Sequence, residues 1–381
     1  IPYAQPPAGD LRWRAPQPLA AMSSEFAASD YGNICLQPQR HNNQGYPQSE
    51  DCLNMNIWQP TALTDAADKS LPVMVWIHGG AFQFGSGRDP RSEATRLAAK
   101  GVVVVSFNYR LGVLGRFAHP ALSREQAGQP LANYGLMDQV AALKWVQKNI
   151  ASFGGDPNNV TIFGNSAGAV SVNYLMAAPA AKGLFHRAIA QSSAVLIPKS
   201  RHISKPVGIQ KPLEDEGLAL AAQFDIADND QASKKLRALT AEQLMTVKGP
   251  RNSTNPVIDG VFIVEDLATS YRAGRIHQAD YMAGVSSWEA SLAQGIQPMP
   301  KPVAFSMVAG MYGFTMPALL KQYVEGHTEV EALDNMFADS FHASTLFLSQ
   351  QVAANGGNSY LYSFNYLPAG VDSVPGVPHS G

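Results

Sequence analysis

The chain has 381 residues, 45% of them hydrophobic and 15% charged, which is ample apolar material for a core and excludes general disorder. At about 150 residues per domain, this length allows two domains or one large one. Lys+Arg 28 against Asp+Glu 30 leaves a net charge of −2, too weak a field to hold a polyanion, which argues against a nucleic-acid partner.

The first 60 residues are rich in Pro, Gln and Asn, and Pro2, Pro6, Pro7, Pro16 and Pro18 preclude a long regular element there. This segment is expected to wrap the body of the fold. The chain opens at Ile1 with neither an initiator Met nor a basic leader, so the start of the gene product is expected to lie upstream. Cys35 and Cys52 enclose 16 residues without Cys-x-x-Cys spacing or matching histidines, which argues against zinc. From composition, a disulfide with a secreted or periplasmic setting and a pair of free buried thiols both stand open.

Residues 72–77 (Pro-Val-Met-Val-Trp-Ile) and 102–107 (Val-Val-Val-Val-Ser-Phe) are short apolar runs bounded by turn residues, as in parallel strands buried on both faces. Neither approaches the 18 or so apolar residues that span a bilayer. Val140, Leu143, Val146 and Ile150 carry helical spacing over 138–150, with a stop at Gly154-Gly155-Asp156-Pro157. A strand at 160–163, a helix at 166–176 and a strand at 187–191 continue an α/β alternation. Residues 199–248 are more polar, broken at Lys205-Pro206 and Lys211-Pro212, with helical periodicity through Leu218, Ala221 and Phe224; they read as a cap insertion. Later strands are expected at 281–285 and 360–364, separated by helical material over 311–351, so that 300–350 forms a second insertion. The whole of 1–381 reads as one domain with helical insertions.

The sharpest chemical signal is Gly164-Asn165-Ser166-Ala167-Gly168, a Gly-x-Ser-x-Gly set between an apolar run and a helical pattern. A nucleophile elbow needs a very tight strand-to-helix turn, and glycines on either side remove the Cβ atoms that would collide there. Ser166 would stand at a helix N-terminus. The tetrahedral intermediate also needs fixed donors, each worth about 2.7 to 4 kcal/mol of barrier. His78-Gly79-Gly80-Ala81-Phe82 follows a strand and could supply them from its backbone, with Ala167 adding the N–H beside the nucleophile. His78 itself reads as a packed core histidine. Chain order in this arrangement is Ser, acid, His. Of the later histidines, His277 falls in a helix-to-strand connection and His327 and His342 in helical insertion, whereas His379 lies in a Gly/Pro loop after the last strand. Glu289, just past the 281–285 strand, fits the acid; Asp259, Glu265, Asp266 and Asp280 lie upstream and read as surface or turn carboxylates.

These residues resemble the type-B carboxylesterase (cholinesterase-like) family of α/β-hydrolases. The resemblance is carried by Ile1-Pro-Tyr-Ala-Gln-Pro-Pro-Ala-Gly-Asp-Leu-Arg-Trp-Arg14, Ser49-Glu-Asp-Cys-Leu-Asn-Met-Asn56, Trp76-Ile-His-Gly-Gly-Ala-Phe82, Asn108-Tyr-Arg-Leu-Gly112, the elbow, and Leu184-Phe-His-Arg-Ala-Ile189. It implies an α/β-hydrolase fold with a mostly parallel sheet, and serine hydrolysis of neutral carboxylic esters through an acyl-enzyme. It implies Ser166 as nucleophile, Glu289 as acid and His379 as base, with Gly80, Ala81 and Ala167 as oxyanion donors and Gly79 shaping the turn. It further implies a Cys35–Cys52 disulfide and a supporting role for Ser192 behind the acid. No cofactor or metal is expected, and the partner is a small-molecule ester.

The chain departs from the family in three ways. Asn165 stands where the family usually has Glu, which disfavours choline esters. The 35–52 segment is too short for the aromatic-bearing loop of a cholinesterase gorge. The chain reads as truncated at both ends, stopping two residues after His379. The rival readings are a catalytically silent adhesion protein of the same family, which retention of Ser166, Glu289 and His379 argues against, and a carbamate or amide hydrolase. The tripeptides Asn159-Val-Thr161 and Asn252-Ser-Thr254 match glycosylation acceptors; the first is expected in a buried strand.

Overall fold

A computed structural model of the chain describes residues 1–20, 24–60, 70–196, 200–208, 210–247, 255–291, 305, 306, 308, 309, 312, 315–367 and 376–379. Two short strands, β1 (Ile34–Cys35) and β2 (Gln48–Ser49), pair with each other in the N-terminal segment. The remaining strands are β3 (Met55–Trp58), β4 (Leu71–Ile77), β5 (Val103–Phe107), β6 (Gly155–Asn165), β7 (Arg187–Gln191), β8 (Asp280–Ser286) and β9 (Ser359–Phe364). They form one seven-stranded sheet in the order β3-β5-β4-β6-β7-β8-β9. Only β3 runs antiparallel to its neighbour.

The sheet centre explains the apolar runs. Val73, Val75 and Ile77 of β4, Val160 and Ile162 of β6 and every residue of β5 are buried. Each fully buried Val or Ile contributes about 1.5–3 kcal/mol relative to exposure. The proline-rich start hid β3, an edge strand in which only Met55 is fully buried, so its period-2 pattern is faint.

Four helices matter for the site: α1 (Tyr134–Asn149), α2 (Ala167–Ala177), α3 (Met316–Tyr323) and α4 (Glu329–Ala354). The expected 138–150 helix starts four residues earlier, at Tyr134. Tyr134 to Val140 are all buried, Asp138 and Gln139 included, so that stretch has no polar face from which to read a helical period. Gly154 terminates this region in the left-handed conformation (φ 76°), as its position suggested, but β6 then begins immediately at Gly155.

The 199–248 segment carries helices Leu213–Ala222, Ala232–Ala238 and Ala241–Thr246, with Phe224 just beyond the first of them. The first two lie against the Pro120–Glu125 helix, and this region is joined to it by Arg124–Asp228 and by the Ser123 hydroxyl donating to Glu214 at 2.5 Å. In the second insertion, Met316, Leu333, Met336, Phe337 and Phe341 form a satellite core with Val285 of β8. Residue 311, where that helical stretch was expected to begin, lies outside the described residues. So does Asn252-Ser-Thr254. Asn159 lies in β6 as expected but is only half-buried, its Oδ1 accepting from Arg187. Among the described residues no helix is long and apolar enough to cross a membrane.

Candidate active site

Strand β6 ends at Asn165 and α2 begins at Ala167, which leaves Ser166 alone to make the reversal, at φ 57° and ψ −121°. A non-glycine residue held there stores about 1–3 kcal/mol of strain that the surroundings must hold in place. The glycines show how. A Cβ on Gly168 would lie 2.0 Å from the Ile77 carbonyl oxygen, and one on Gly164 would lie 2.6 Å from the Gly168 carbonyl carbon. Helix and strand therefore close onto the end of β4 at backbone contact, and the Ser166 N–H donates to the Gln191 carbonyl at 2.9 Å. Ala167 is the first residue of α2, so its N–H has no acceptor within the helix.

Beside the elbow, β4 runs into the 78–85 turn. A Cβ on Gly79 would lie 2.7 Å from the Asn165 carbonyl oxygen and 3.3 Å from the Ser166 Cβ, so the turn's backbone lies against the elbow. Gly80 (φ 109°), Ala81 (φ 53°) and Phe82 (φ 56°) all take positive φ. The turn closes on the Gly80 carbonyl, which accepts from the Gln83 and Phe84 N–H groups at 2.9 and 3.1 Å. The N–H groups of Gly80 and Ala81 take no part in that closure.

His78 is buried and stacked on Tyr109, with ring centroids 4.2 Å apart. Burial pushes its pKa down to about 4, against a smaller upward pull from the Gly79 carbonyl. The ring is therefore neutral near pH 7. A carbonyl can only accept, so Nδ1–H donates to Gly79 C=O at 2.8 Å. The Tyr109 hydroxyl donates to the His78 carbonyl at 2.7 Å, propping the entrance of the turn.

Two strands along the sheet, the chain after β8 carries Glu289, which is 1% exposed. Its Oε1 accepts from the Ser286 N–H at 2.7 Å, and its Oε2 lies 2.5 Å from His379 Nδ1. The carboxylate accepts, so Nδ1 carries the proton, and in the neutral ring Nε2 is the nitrogen with the lone pair. Nε2 is buried and has no hydrogen-bond partner among the described residues. The His379 loop is pinned to the segment that carries Glu289. Trp288 N–H donates to the Val377 carbonyl at 2.9 Å, Val377 N–H to the Ser287 hydroxyl at 2.8 Å, and His379 N–H to the Ser291 hydroxyl at 2.7 Å. Phe341 of α4 meets the imidazole edge-on at 5.2 Å.

Each residue expected at the site can thus be located. Gly79, Gly80, Ala81, Ser166 and Ala167 come together where β4 and β6 end, and Glu289 and His379 come together beyond β8. Ser192 is buried at φ 58° with its N–H on the Gly284 carbonyl; the hydrogen bonds to Glu289 among the described residues come from Ser286 and His379, not from Ser192. Cys35 and Cys52 form a disulfide. The rejected candidates have structural employment. Asp259 accepts from the N–H groups of Leu131, Phe262 and Ile263, Asp266 caps a helix, and His277 bonds the Ala178 carbonyl. Tyr109, Ser287, Trp288 and Ser291 were missed as supports; Tyr109 lies in the 108–112 motif, and the other three flank Glu289. Among the described residues no group of three or more His, Cys, Asp or Glu is arranged to hold a metal ion.

Comparison with known proteins supplies the context. The profile of the carboxylesterase family matches residues 1–380. The chain is 41% identical to fumonisin B1 esterase of Sphingopyxis macrogoltabida over 74% of this chain and 51% of that protein. It is 44% identical to para-nitrobenzyl esterase of Bacillus subtilis (strain 168), over 64% and 47%. It is 32% identical to carboxylesterase 1C of Rattus norvegicus, over 97% and 70%. The chain thus spans about half the length of the first two of these relatives. A solved PNB esterase, 30% identical, superposes with a TM-score of 0.83 over 100% of this chain and 78% of its own, which gives the α/β-hydrolase fold.

Proposed function

The chain belongs to the carboxylesterase family, and on that premise we propose that it hydrolyses carboxylic esters with Ser166 as nucleophile, His379 as base and Glu289 as acid. The observation that carries this reading is His379: a buried imidazole with Nδ1 tied to a buried carboxylate and Nε2 without a partner among the described residues. A general base needs one ring nitrogen oriented by an acceptor and the other left open to take a proton.

In this mechanism His379 Nε2 takes the hydroxyl proton as Ser166 Oγ attacks the ester carbonyl carbon. Glu289 orients the ring and stabilises its charged form. The carbonyl oxygen becomes an oxyanion held by the N–H groups of Gly80, Ala81 and Ala167. The imidazolium returns its proton to the departing alkoxide, leaving an acyl-enzyme. Water, deprotonated by the same His379, then releases the acid and regenerates the serine. The strained elbow fixes Ser166 before substrate arrives, so little reorganisation remains for the reaction itself.

The substrate class follows from Asn165, which stands neutral beside the nucleophile and bonds the Gln191 carbonyl at 3.3 Å. With no carboxylate there to attract a quaternary ammonium, neutral esters are the expected substrates. The disulfide fits an oxidising, extracytoplasmic setting, secreted or periplasmic. Residues 1–381 are read as a single α/β-hydrolase domain.

The test is hydrolysis of short-chain p-nitrophenyl esters, with acetylthiocholine and p-nitroanilides in parallel. Ser166→Ala and His379→Ala should each lower kcat by about 10⁴- to 10⁶-fold, and the neutral ester should be preferred. Activity that survives both substitutions contradicts the reading, and faster cleavage of the anilide moves the assignment to amide hydrolysis.

A further inference from the structure

We propose that Gln37 is a positioning residue that clamps the exit of the oxyanion turn, and that the Cys35–Cys52 loop acts on catalysis through it. This rests on the reading of Gly80, Ala81 and Ala167 as oxyanion donors. Gln37 lies two residues past Cys35 and is 4% exposed. Its side-chain amide engages both backbone groups of one residue: Oε1 accepts the Gly85 N–H at 2.8 Å and Nε2 donates to the Gly85 carbonyl at 2.9 Å. Nε2 also donates to the Cys35 carbonyl at 3.0 Å.

The amide is itself held from within the disulfide loop. Asn43 Nδ2 donates to Gln37 Oε1 at 3.2 Å, and the Gln37 N–H donates to Gln48 Oε1 at 2.9 Å. At the other end, Gly85 is packed directly on the start of the turn. It sits at φ 111°, and a Cβ there would lie 2.5 Å from His78 Nδ1 and 2.6 Å from the Gly79 carbonyl oxygen. A displaced Gly85 therefore disturbs the same carbonyl that His78 bonds. The turn's other props, Tyr109 on the His78 carbonyl and the Gly112 N–H on the Phe82 carbonyl at 2.7 Å, come from the chain after β5. Gln37 closes the turn from the disulfide loop instead.

Gln37 touches no reacting atom, so its effect must pass through backbone placement. Oxyanion donors act on charge that exists only in the transition state. Loosening them lowers kcat and leaves ground-state binding in place. A shift of the donors by a fraction of an ångström corresponds to a fall in kcat of about 10- to 100-fold, with KM almost constant.

The experiment measures p-nitrophenyl ester kinetics and the affinity for an aryl trifluoromethyl ketone, whose adduct with a serine carries an oxyanion. The variants are Gln37→Met, which keeps length and loses the hydrogen bonds, Gln37→Glu, which keeps the acceptor for the Gly85 N–H, and Cys35→Ser/Cys52→Ser. Near-UV circular dichroism reports the folded fraction of each. We expect kcat and ketone affinity to fall by the same factor in Gln37→Met, with KM and the pH profile of kcat/KM unchanged. Gln37→Glu can still accept from the Gly85 N–H but sets a carboxylate oxygen against the Gly85 and Cys35 carbonyls, so it should lose at least as much as Gln37→Met. The open-loop variant should lose part of the same factor, and adding Gln37→Met to it should take the loss no further than Gln37→Met alone. Wild-type kcat and ketone affinity in folded Gln37→Met overturn the proposal and leave the reading of the site standing. A kcat loss that merely follows the unfolded fraction in both Gln37 variants makes the residue structural and also overturns it. Should Ser166→Ala retain wild-type hydrolysis, the reading of the site falls and the proposal with it.

Discussion

Ser166 and His78 are single residues whose surroundings fix their state: one is held in a strained backbone conformation and the other is kept neutral well below the pH at which a free imidazole would charge. At φ 57° Ser166 carries strain that glycine would not, whereas alanine would keep it. Ser166→Gly should therefore be more stable to urea than Ser166→Ala by about 1 kcal/mol, with both inactive; equal midpoints would mean that the elbow stores nothing. His78 has a folded pKa of about 4 against 6.5 when unfolded, because burial disfavours its charged form. The unfolded chain thus binds this proton first as pH falls. The stabilisation is complete above pH 6.5 and is lost progressively down to pH 4, to the extent of about 3 kcal/mol. Urea titrations of wild type and His78→Gln over that range should diverge by this amount, and parallel curves would contradict the assignment. The glycines of the elbow and the pairing of Glu289 with His379 could be anticipated from the sequence, because a tight turn and a fixed chain order constrain residue type. Gln37 was not legible. It lies in a Gln/Pro/Asn-rich stretch where nothing local distinguishes an amide that clamps a distant glycine from one that faces water.

Among the secondary-structure elements, the loop after β5 links sheet, helix and turn. Arg110 donates to Asp138 of α1 through Nε at 2.8 Å and Nη2 at 2.7 Å, with side chains 3% and 0% exposed. Asp138→Asn would leave a buried guanidinium without its counter-charge, which should cost about 3–5 kcal/mol of stability. Chemical denaturation checks this, and a loss under about 1 kcal/mol would show that water replaces the carboxylate. The same pair explains a boundary that the sequence obscured. A buried charge on α1 removes the polar face from which the helix's first turn would have been read. The central strands were clearer: β5 is buried at every residue, and β4 and the second half of β6 carry apolar residues whose burial alternates, with Val73, Val75, Ile77, Val160 and Ile162 buried. β3 was hidden because an edge strand with one buried residue has almost no hydrophobic signature.

Across the molecule as a whole, the candidate site draws on residues from Gly79 to His379, so it exists only when the entire sheet is assembled in register. The sheet order places β4 beside β6 and β8 one strand further on than β7, which brings the 78–85 turn, the elbow and Glu289 to the same edge. This is the edge where α/β sheets bind ligands, outside the carboxyl ends of the strands. The sheet order itself was not legible, because spacing along the chain identifies strands without saying which become neighbours. The proposed function requires that one serine, activated by a distant histidine, perform the chemistry. The decisive observation is the site of covalent labelling by an organophosphate ester, read by peptide mass spectrometry on the folded chain, with His379→Ala alongside. A single stoichiometric adduct on Ser166 is expected in the wild type, formed at a rate that falls by about 10³-fold or more in His379→Ala. An adduct on another residue, or labelling of Ser166 at an unchanged rate without His379, would contradict it.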